Sequence, residues 1–550
     1  MRGFLAGLAT LLCAAPTLAQ SPQIAALYPA GAQKGQSVEV TIRGGSLAGA
    51  KRLLITGAPG VTGSLSQTVA APDEGVRPLF QAKCTTCHEL RSPDNRTLTA
   101  EQWAATVRRM ITARGADIKA DEQQQITGYL QAKARAGVVT ARVTVAPEAV
   151  SGRRELRLVT DAGVSTAFTF EVGALPEVLA TEPNSTPEQA QAVLIPSVVS
   201  GVLAQATERD YFAFSAKKGE RLRFDLRAFR LSELTAAFFN PILVVTDASG
   251  RELARDTGTV DLDPILEWTA PDDGSYRVLV RDLLWKGNPA SIYRLVIGPA
   301  ESEPVAAPAT PELALNATPD TVNIGPGSSS AVLVRVTRRE GITGPIRLSA
   351  TALPPGVSAT VATIPPDDDK AWMVFTAASD AAPGGAAFSI LGEANSGEKT
   401  VLRSATPIEM YRGPSNGQRP FGRLSMTVGV TAQPLPFRLE SAVTSIALGR
   451  DDHAEVTVRV MRQNGFTGGI VVFVPALPNT LYPDPGAIYV PPEKSEAIFQ
   501  IRSNGDAGSI AKRAASLPPF TFCFTGLVAG INEWATISTG LVAITGKPSP

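Results

Sequence analysis

Between Ala71 and Arg135 the spacing of apolar residues changes from every second position to every third or fourth, and afterwards it changes back. Before the change, Val38-Glu39-Val40-Thr41-Ile42 alternates as a half-buried strand does, with Gly44-Gly45 and Pro59-Gly60 as turns. After it, Val139, Ala141, Val143 and Val145 alternate again, followed by Leu156 and Leu158, then Phe168 and Phe170. Inside it, Val76, Leu79, Phe80 and Cys84 share one helical face, Trp103, Val107, Met110 and Ile111 a second, and Ile126, Tyr129 and Leu130 a third. Thr99 and Gln102 form a possible capping box, and Gly115 is placed to end that helix. Residues 23–70 hold too few strands to close a core alone. The expected arrangement is one β-sandwich split into 23–70 and 137–173, with helical residues 71–136 inserted in a surface loop. Two separate small domains are the alternative.

A chain of 550 residues exceeds what one core serves, so several domains are expected. Gly (48) and Pro (43) are frequent, which with many short Val/Thr/Leu/Phe runs fits β-sandwich modules joined by turns. Residues 180–299 form a second unit, with strand runs Tyr211 to Phe214, Leu222 to Leu226, Ile242 to Thr246, Tyr276 to Val280 and Tyr293 to Ile297. A Pro/Ala/Glu linker closes it. Two further modules, 312–410 and 435–547, carry an internal repeat. Val334-Arg335-Val336, Arg338, Gly341, Thr343-Gly344 and Ile346 return as Val458-Arg459-Val460, Arg462, Gly465, Thr467-Gly468 and Ile470. The stretch 411–434, rich in Gly, Pro and Arg, reads as their connector. The fold class is mainly β: a multi-domain array of β-sandwiches with a small all-α insertion. The formal net charge is zero, which gives no basic excess for a nucleic-acid partner.

Residues 1–19 read as a secretory signal: Arg2, an apolar run from Phe4 to Ala15, then Thr17-Leu18-Ala19. That run is too short to span a bilayer, and no later stretch is long and apolar enough. An exported protein, periplasmic or extracellular, with no transmembrane segment is expected. Without Cys13 the cysteines are Cys84, Cys87 and Cys523, too few for a disulfide framework. Cys84-Thr85-Thr86-Cys87-His88 is the pattern of covalent c-type haem attachment. Two thiols form thioethers to the porphyrin and the imidazole binds iron, and on a helix positions i, i+3 and i+4 share a face. Zinc would need a fourth ligand that this segment lacks. A redox dithiol would need βαβ surroundings, and a plain disulfide is the remaining alternative. One haem c, held by Cys84 and Cys87 with His88 as proximal ligand, is the expectation. Met110 is the sole methionine of the segment and the candidate distal ligand. Its alternative role is packing in the apolar stripe, which would leave the iron open or water-bound.

On Leu79-Phe80, the Cys84–His88 motif, Trp103, Val107, Met110, Ile126 and Tyr129-Leu130, residues 75–135 resemble a class I monohaem cytochrome c domain. That resemblance implies one-electron transfer to a redox partner protein, with the haem edge exposed. On Glu182-Pro183-Asn184, Asp210-Tyr211-Phe212 and Pro271, Gly274 and Tyr276, residues 180–299 resemble the secreted pre-peptidase C-terminal domain. Some relatives bind calcium through this opening segment. Glu182 and Asn184 match that pattern, whereas Ser185 stands where an aspartate is usual. The remaining modules look immunoglobulin-like. His453 reads as an exposed turn residue and Cys523 as a buried strand thiol. With two histidines in the chain, hydrolytic triads have almost no material. The expected function is that of a non-enzymatic, extracytoplasmic c-type electron carrier. The alternatives are a haem-bearing binding, sensing or adhesion protein, whose β modules bind protein or surface polysaccharide, and an electron-transfer subunit of a larger dehydrogenase.

Overall fold

The protein is described by a computed structural model covering residues 21–67, 73–84, 100–231, 239–258, 263–300, 313–339, 341–397, 399–412, 418–477, 481–503, 519–528 and 537–546. The first module contains strands β1 (Gln23–Tyr28), β2 (Gly31–Gln33), β3 (Ser37–Gly45), β4 (Arg52–Gly57), β5 (Val61–Gln67), β6 (Val138–Val145), β7 (Gly152–Thr160), β8 (Gly163–Val164) and β9 (Phe168–Gly173). One sheet runs β1-β3-β6-β5 and the other β2-β9-β7-β4, with β8 on the side of β7. Val40 and Ile42 of β3 and the alternating Val139, Ala141 and Val143 of β6 face Leu156, Leu158, Phe168 and Phe170 across one core. Alternation places one side of each strand inward, as period 2 requires.

Strands β5 and β6 are antiparallel neighbours, paired from Val61–Val145 to Gln67–Thr140. Between them come helices α1 (Arg77–Cys84), α2 (Ala100–Arg114) and α3 (Ala120–Ala136). Gly137 is the point of return to the sheet. Its carbonyl accepts from Gly44 N at 2.9 Å, and a Cβ there would lie 2.6 Å from Gly44 O. The chain is thus mainly β, and its described helices are three and short. They do not make a cytochrome c fold, so the expected all-α cytochrome c domain is corrected to a helical excursion with a small core of its own. None of the described helices is long and apolar enough to cross a membrane.

The second module packs two five-stranded sheets around Phe212, Phe214, Phe224, Val245, Val278 and Leu295. Its edge strand Glu177–Leu179 pairs in parallel with Ser197–Val202. The third module extends into the Pro/Gly-rich stretch 411–434 that composition marks as a connector. Met426–Val430 is a buried strand, parallel to Thr321–Ile324 and antiparallel to Gly384–Phe388. In the fourth, Arg462 reproduces the contacts of Arg338. Arg338 donates to the carbonyls of Gly344 and Pro365 at 2.8 and 2.6 Å; Arg462 donates to those of Gly468 and Pro491 at 3.3 and 2.8 Å. The repeated arginine is therefore a strut that holds two loops.

The modules are fastened together. Leu231, Ala290 and Ile292 of the second module enter the core of the first, and Ala331, Trp372 and Val374 of the third enter that of the fourth. Between the first and third the contact is ionic and buried. Arg157 donates to Asp320 Oδ2 at 2.9 Å, to Thr321 Oγ1 at 2.8 Å and to Glu155 Oε2 at 3.4 Å, while Leu424 N donates to Glu155 Oε1 at 2.8 Å. Arg157 and Glu155 are fully buried. Removing one partner of such a group leaves charge unpaired away from water. Arg157→Ala is expected to lower stability by about 3–5 kcal/mol, read by denaturant unfolding. Adding Asp320→Ala should cost less than the sum of the two single changes, and strict additivity would show that the pair is not coupled.

Candidate functional sites

The helical excursion builds its core from Phe80 of α1, Trp103 and Val107 of α2, and Ile126, Tyr129 and Leu130 of α3. Phe80 and Tyr129 stack at 5.7 Å between ring centroids. Around these six buried residues pack the half-buried Val76, Leu79, Cys84, Ile111, Ile118 and Ala134. Met110 is also half-buried, one position from Ile111, and lies outside that core. Its carbonyl accepts from Ala116 N at 3.0 Å where the chain leaves α2.

Cys84 is the last residue of α1, and its neighbour fixes it. Lys83 Nζ lies 3.0 Å from Glu122 Oε2 and donates to Asp117 O at 3.1 Å. Glu122 also accepts from Lys119 N at 2.8 Å, closing the first turn of α3. The Lys119 amide and then Lys83 hold the Glu122 carboxyl below its ordinary range, and the hydrogen bond to Glu122 raises Lys83. The end of α1 is thereby pinned to the start of α3. Gln131 Nε2 reaches Ala100 O at 3.1 Å and ties α3 to the start of α2. Cys87, His88 and Thr99 lie outside the described residues. Cys523 is fully buried just beyond the strand Phe520–Phe522, and burial pushes its thiol up to about 12. His453 is exposed at the start of the strand His453–Arg462.

A second cluster lies in the second module. Glu182, Glu208 and Asp210 bring carboxylate oxygens within 4.8 Å of one another. Glu182 and Asn184 precede the module's strands, Glu208 ends the loop after Ser197–Val202, and Asp210 is near the start of Arg209–Ala216. Tyr211 N donates to Asn184 O at 2.9 Å and locks the opening segment onto that strand. Asn184 and Asp210 are buried. Tyr293 Oη donates to Asp210 Oδ2. Among the described residues no Lys or Arg pairs with any of the three carboxylates. Burial pushes the Asp210 carboxyl up to about 7 against the pull of Tyr293, with Glu182 and Glu208 adding to the rise. Burial also raises Glu208.

The fully buried Asn184 carboxamide points into this cluster with its nitrogen, which donates to Asp210 Oδ1 at 3.3 Å and to the two Glu182 carboxylate oxygens at 2.9 and 3.1 Å. An all-oxygen set of carboxylates matches a hard divalent ion, and oxygens on opposite sides of calcium at 2.3–2.6 Å stand roughly 5 Å apart. Sequence alone paired Glu182 with Asn184. Glu208 and Asp210 join them only through the fold, and the sole early signal was an aspartate at a buried strand start.

No family model matches the chain, and no curated protein matches it. Among solved structures, the D00-D0 domain of Intimin is similar at 11% identity and a TM-score of 0.15, covering 42% of this chain and 99% of that one. The resemblances to a class I cytochrome c and to the pre-peptidase C-terminal domain are therefore corrected: no family model supports either, and the three short helices lack the cytochrome c fold. A five-residue motif and three apolar stripes specify helix faces and ligand chemistry. They leave open the path of the chain between those faces, and that path defines a family.

Proposed function

We propose that this chain is an exported carrier of one covalently attached c-type haem and passes single electrons to a redox partner. Cys84 and Cys87 would hold the porphyrin, His88 the iron from one side and Met110 from the other. The observation that supports this reading is the placement of Cys84. It ends a helix pinned by Lys83, beside the half-buried Leu79, Ile111 and Ile118. A flat apolar group fits against such residues, and covalent attachment requires two thiols and an imidazole rather than any particular fold. When bound, the haem supplies a one-electron couple whose potential its axial ligands set. The chain's own part is to exclude water with Phe80, Trp103 and Tyr129 and to hold the attachment helix still. A thioether from Met110 favours ferrous iron over what a second imidazole would give.

The same module set supports a second, independent reading. We infer that Glu182, Glu208 and Asp210, with Asn184 beside them, bind a divalent cation, calcium before magnesium, because the three carboxylates converge within 4.8 Å with no Lys or Arg pairing among the described residues. Larger, flexible coordination suits a set drawn from two separated segments.

The mature protein should weigh one haem more than its polypeptide, with the haem resistant to acid-acetone. Replacing Cys84 and Cys87 together with serine should abolish attachment, and extractable or absent haem in the wild type would sink the reading. Met110→Ala should remove the long-wavelength ferric charge-transfer band and open the iron to carbon monoxide. An unchanged spectrum, with a loss of about 2–5 kcal/mol in stability, would instead assign Met110 to packing. Calcium at a hundred times its dissociation constant should stabilise the second module by about 2.7 kcal/mol, seen as a rise in Tm that Glu182→Gln abolishes. Equal Tm values in calcium and in EDTA would reject the cation site.

A further inference from the structure

The loop between the strands Gly274–Asp282 and Ile292–Pro299 of the second module leaves three consecutive apolar side chains in solvent. Leu283, Leu284 and Trp285 are 39%, 61% and 43% exposed, whereas every other large apolar residue exposed among the described residues stands alone in sequence. Single exposed apolar residues are ordinary on a protein surface. A run of three is unfavourable in water and marks a surface with an occupant.

The loop is built to hold them there. Asp282 is buried, and its carboxylate is taken up by backbone amides: Oδ1 accepts from Leu284 N at 2.8 Å and Lys286 N at 2.9 Å, and Oδ2 from Asn240 N at 2.7 Å. Leu283 N donates to Asn240 O at 2.7 Å, Trp285 N to Asp282 O at 3.3 Å, and Thr207 N to Trp285 O at 3.0 Å. Trp285 lies in the left-handed region at φ 58°. A bulky residue holds that conformation only where its surroundings over-determine it. The exposure is thus fixed by the loop's own hydrogen bonds and is not fraying.

Cations flank the tip. Arg209 and Arg281 face each other across neighbouring strands, and their guanidinium carbons lie 5.8 and 4.3 Å from the centroid of the Trp285 ring. Lys286 follows and is exposed. Among the described residues no carboxylate forms an ion pair with Arg209, Arg281 or Lys286, whereas Arg255 is paired with Glu252. Glu208, next to Arg209 in sequence, is turned toward Glu182 and Asp210.

We propose that this tip docks the protein on an anionic phospholipid surface. Leu283 and Leu284 enter the acyl boundary, the indole of Trp285 sits at headgroup level, and Arg209, Arg281 and Lys286 meet lipid phosphates. Leucines, an aromatic ring and unpaired cations on one rigid tip complement an apolar layer beneath a negative surface. A guanidinium can bind two phosphate oxygens at once and is weakly hydrated, which suits that boundary. A polysaccharide would need an open indole face to stack on, and here guanidiniums lie over the ring. The inference rests on neither the haem nor the cation reading.

Co-sedimentation of the full chain with lipid vesicles tests this. Mixed phosphatidylglycerol and phosphatidylcholine vesicles should bind it about tenfold or more tightly than phosphatidylcholine alone, because each cation near such a surface contributes about fivefold. Salt should weaken that binding. Leu284→Asp should lower affinity for the mixed vesicles by about tenfold or more, and Arg281→Gln should reduce the preference for phosphatidylglycerol. Leu402→Asp, at a leucine 53% exposed in the third module, should bind as the wild type does. Absence of sedimentation with either vesicle, or wild-type binding by Leu284→Asp, would overturn the proposal. So would release of the protein from vesicles by inorganic phosphate at constant ionic strength, which would mark a site for free anions. Self-association that Leu284→Asp abolishes, without vesicle binding, would assign the tip to a second copy of the chain instead.

Discussion

Arg157 sits where two modules meet, and much of the arrangement rests on how its charge is satisfied. Burial of a guanidinium costs far less when its terminal N–H groups find acceptors, and both terminal nitrogens of Arg157 do. Here the acceptors come from both modules: Glu155 and Ser165 from the first, Asp320, Thr321 and Ser425 from the third. The two modules are therefore obliged to keep one relative position, because any slip strands a buried charge. Asn323 reinforces it by bonding both the N–H and the C=O of Val164, at 2.8 and 2.9 Å, as a strand neighbour would. A similar arrangement joins the first and second modules. There the buried Arg294 donates to Ala30 O at 3.1 Å and Glu171 O at 3.2 Å, and also to the Glu177 carboxylate. Apolar contacts supply affinity at these junctions, and the ionic groups supply register.

That register gives the helical excursion a fixed base. Among the described residues the excursion joins the first module at Gly137, and it faces the second across a cleft lined by Gln102, Ala204, Gln205, Ala206, Gly287 and Pro289. A group attached at Cys84 would thus be carried by a small helical core standing on a large β framework. Small cores bury little apolar surface and are marginal alone. A covalently held prosthetic group that adds apolar area would contribute to the folding of the segment that binds it.

The legibility of the sequence varied with how each residue is buried. Strand β6 was readable because one face is inside and one outside, so Val139, Ala141 and Val143 alternate with polar neighbours. Strand β7 was readable only in part. Glu155 and Arg157 look like an outer face, yet they are buried. The outer face of one sandwich is the inner face of a junction, and only the third module reveals it. Composition likewise misled at 411–434, where Gly and Pro suggest a connector but Met426–Val430 is a strand buried between two others. In the sites, the expectation at Cys84 came from five neighbouring residues, of which Cys87 and His88 lie outside the described residues. Glu208 was not legible, because nothing in the chain between Glu182 and Glu208 announces that their side chains meet. The family resemblances failed for the converse reason, since they rested on local signals that many chain paths can carry.

The pairing of β5 with β6 at the foot of the excursion has a mechanical consequence. Tension applied through the two ends of the chain runs along the backbone, but a hydrogen-bonded ladder between neighbouring strands short-circuits whatever hangs beyond it. From Val61–Val145 to Gln67–Thr140 that ladder closes the base of the three helices. Load reaches α1, α2 and α3 only after those strands part, and their parting would first break the core shared with Leu156 and Phe168. The helical segment is shielded from stretching by the module that carries it, so a force strong enough to distort it would already have opened the sandwich beneath.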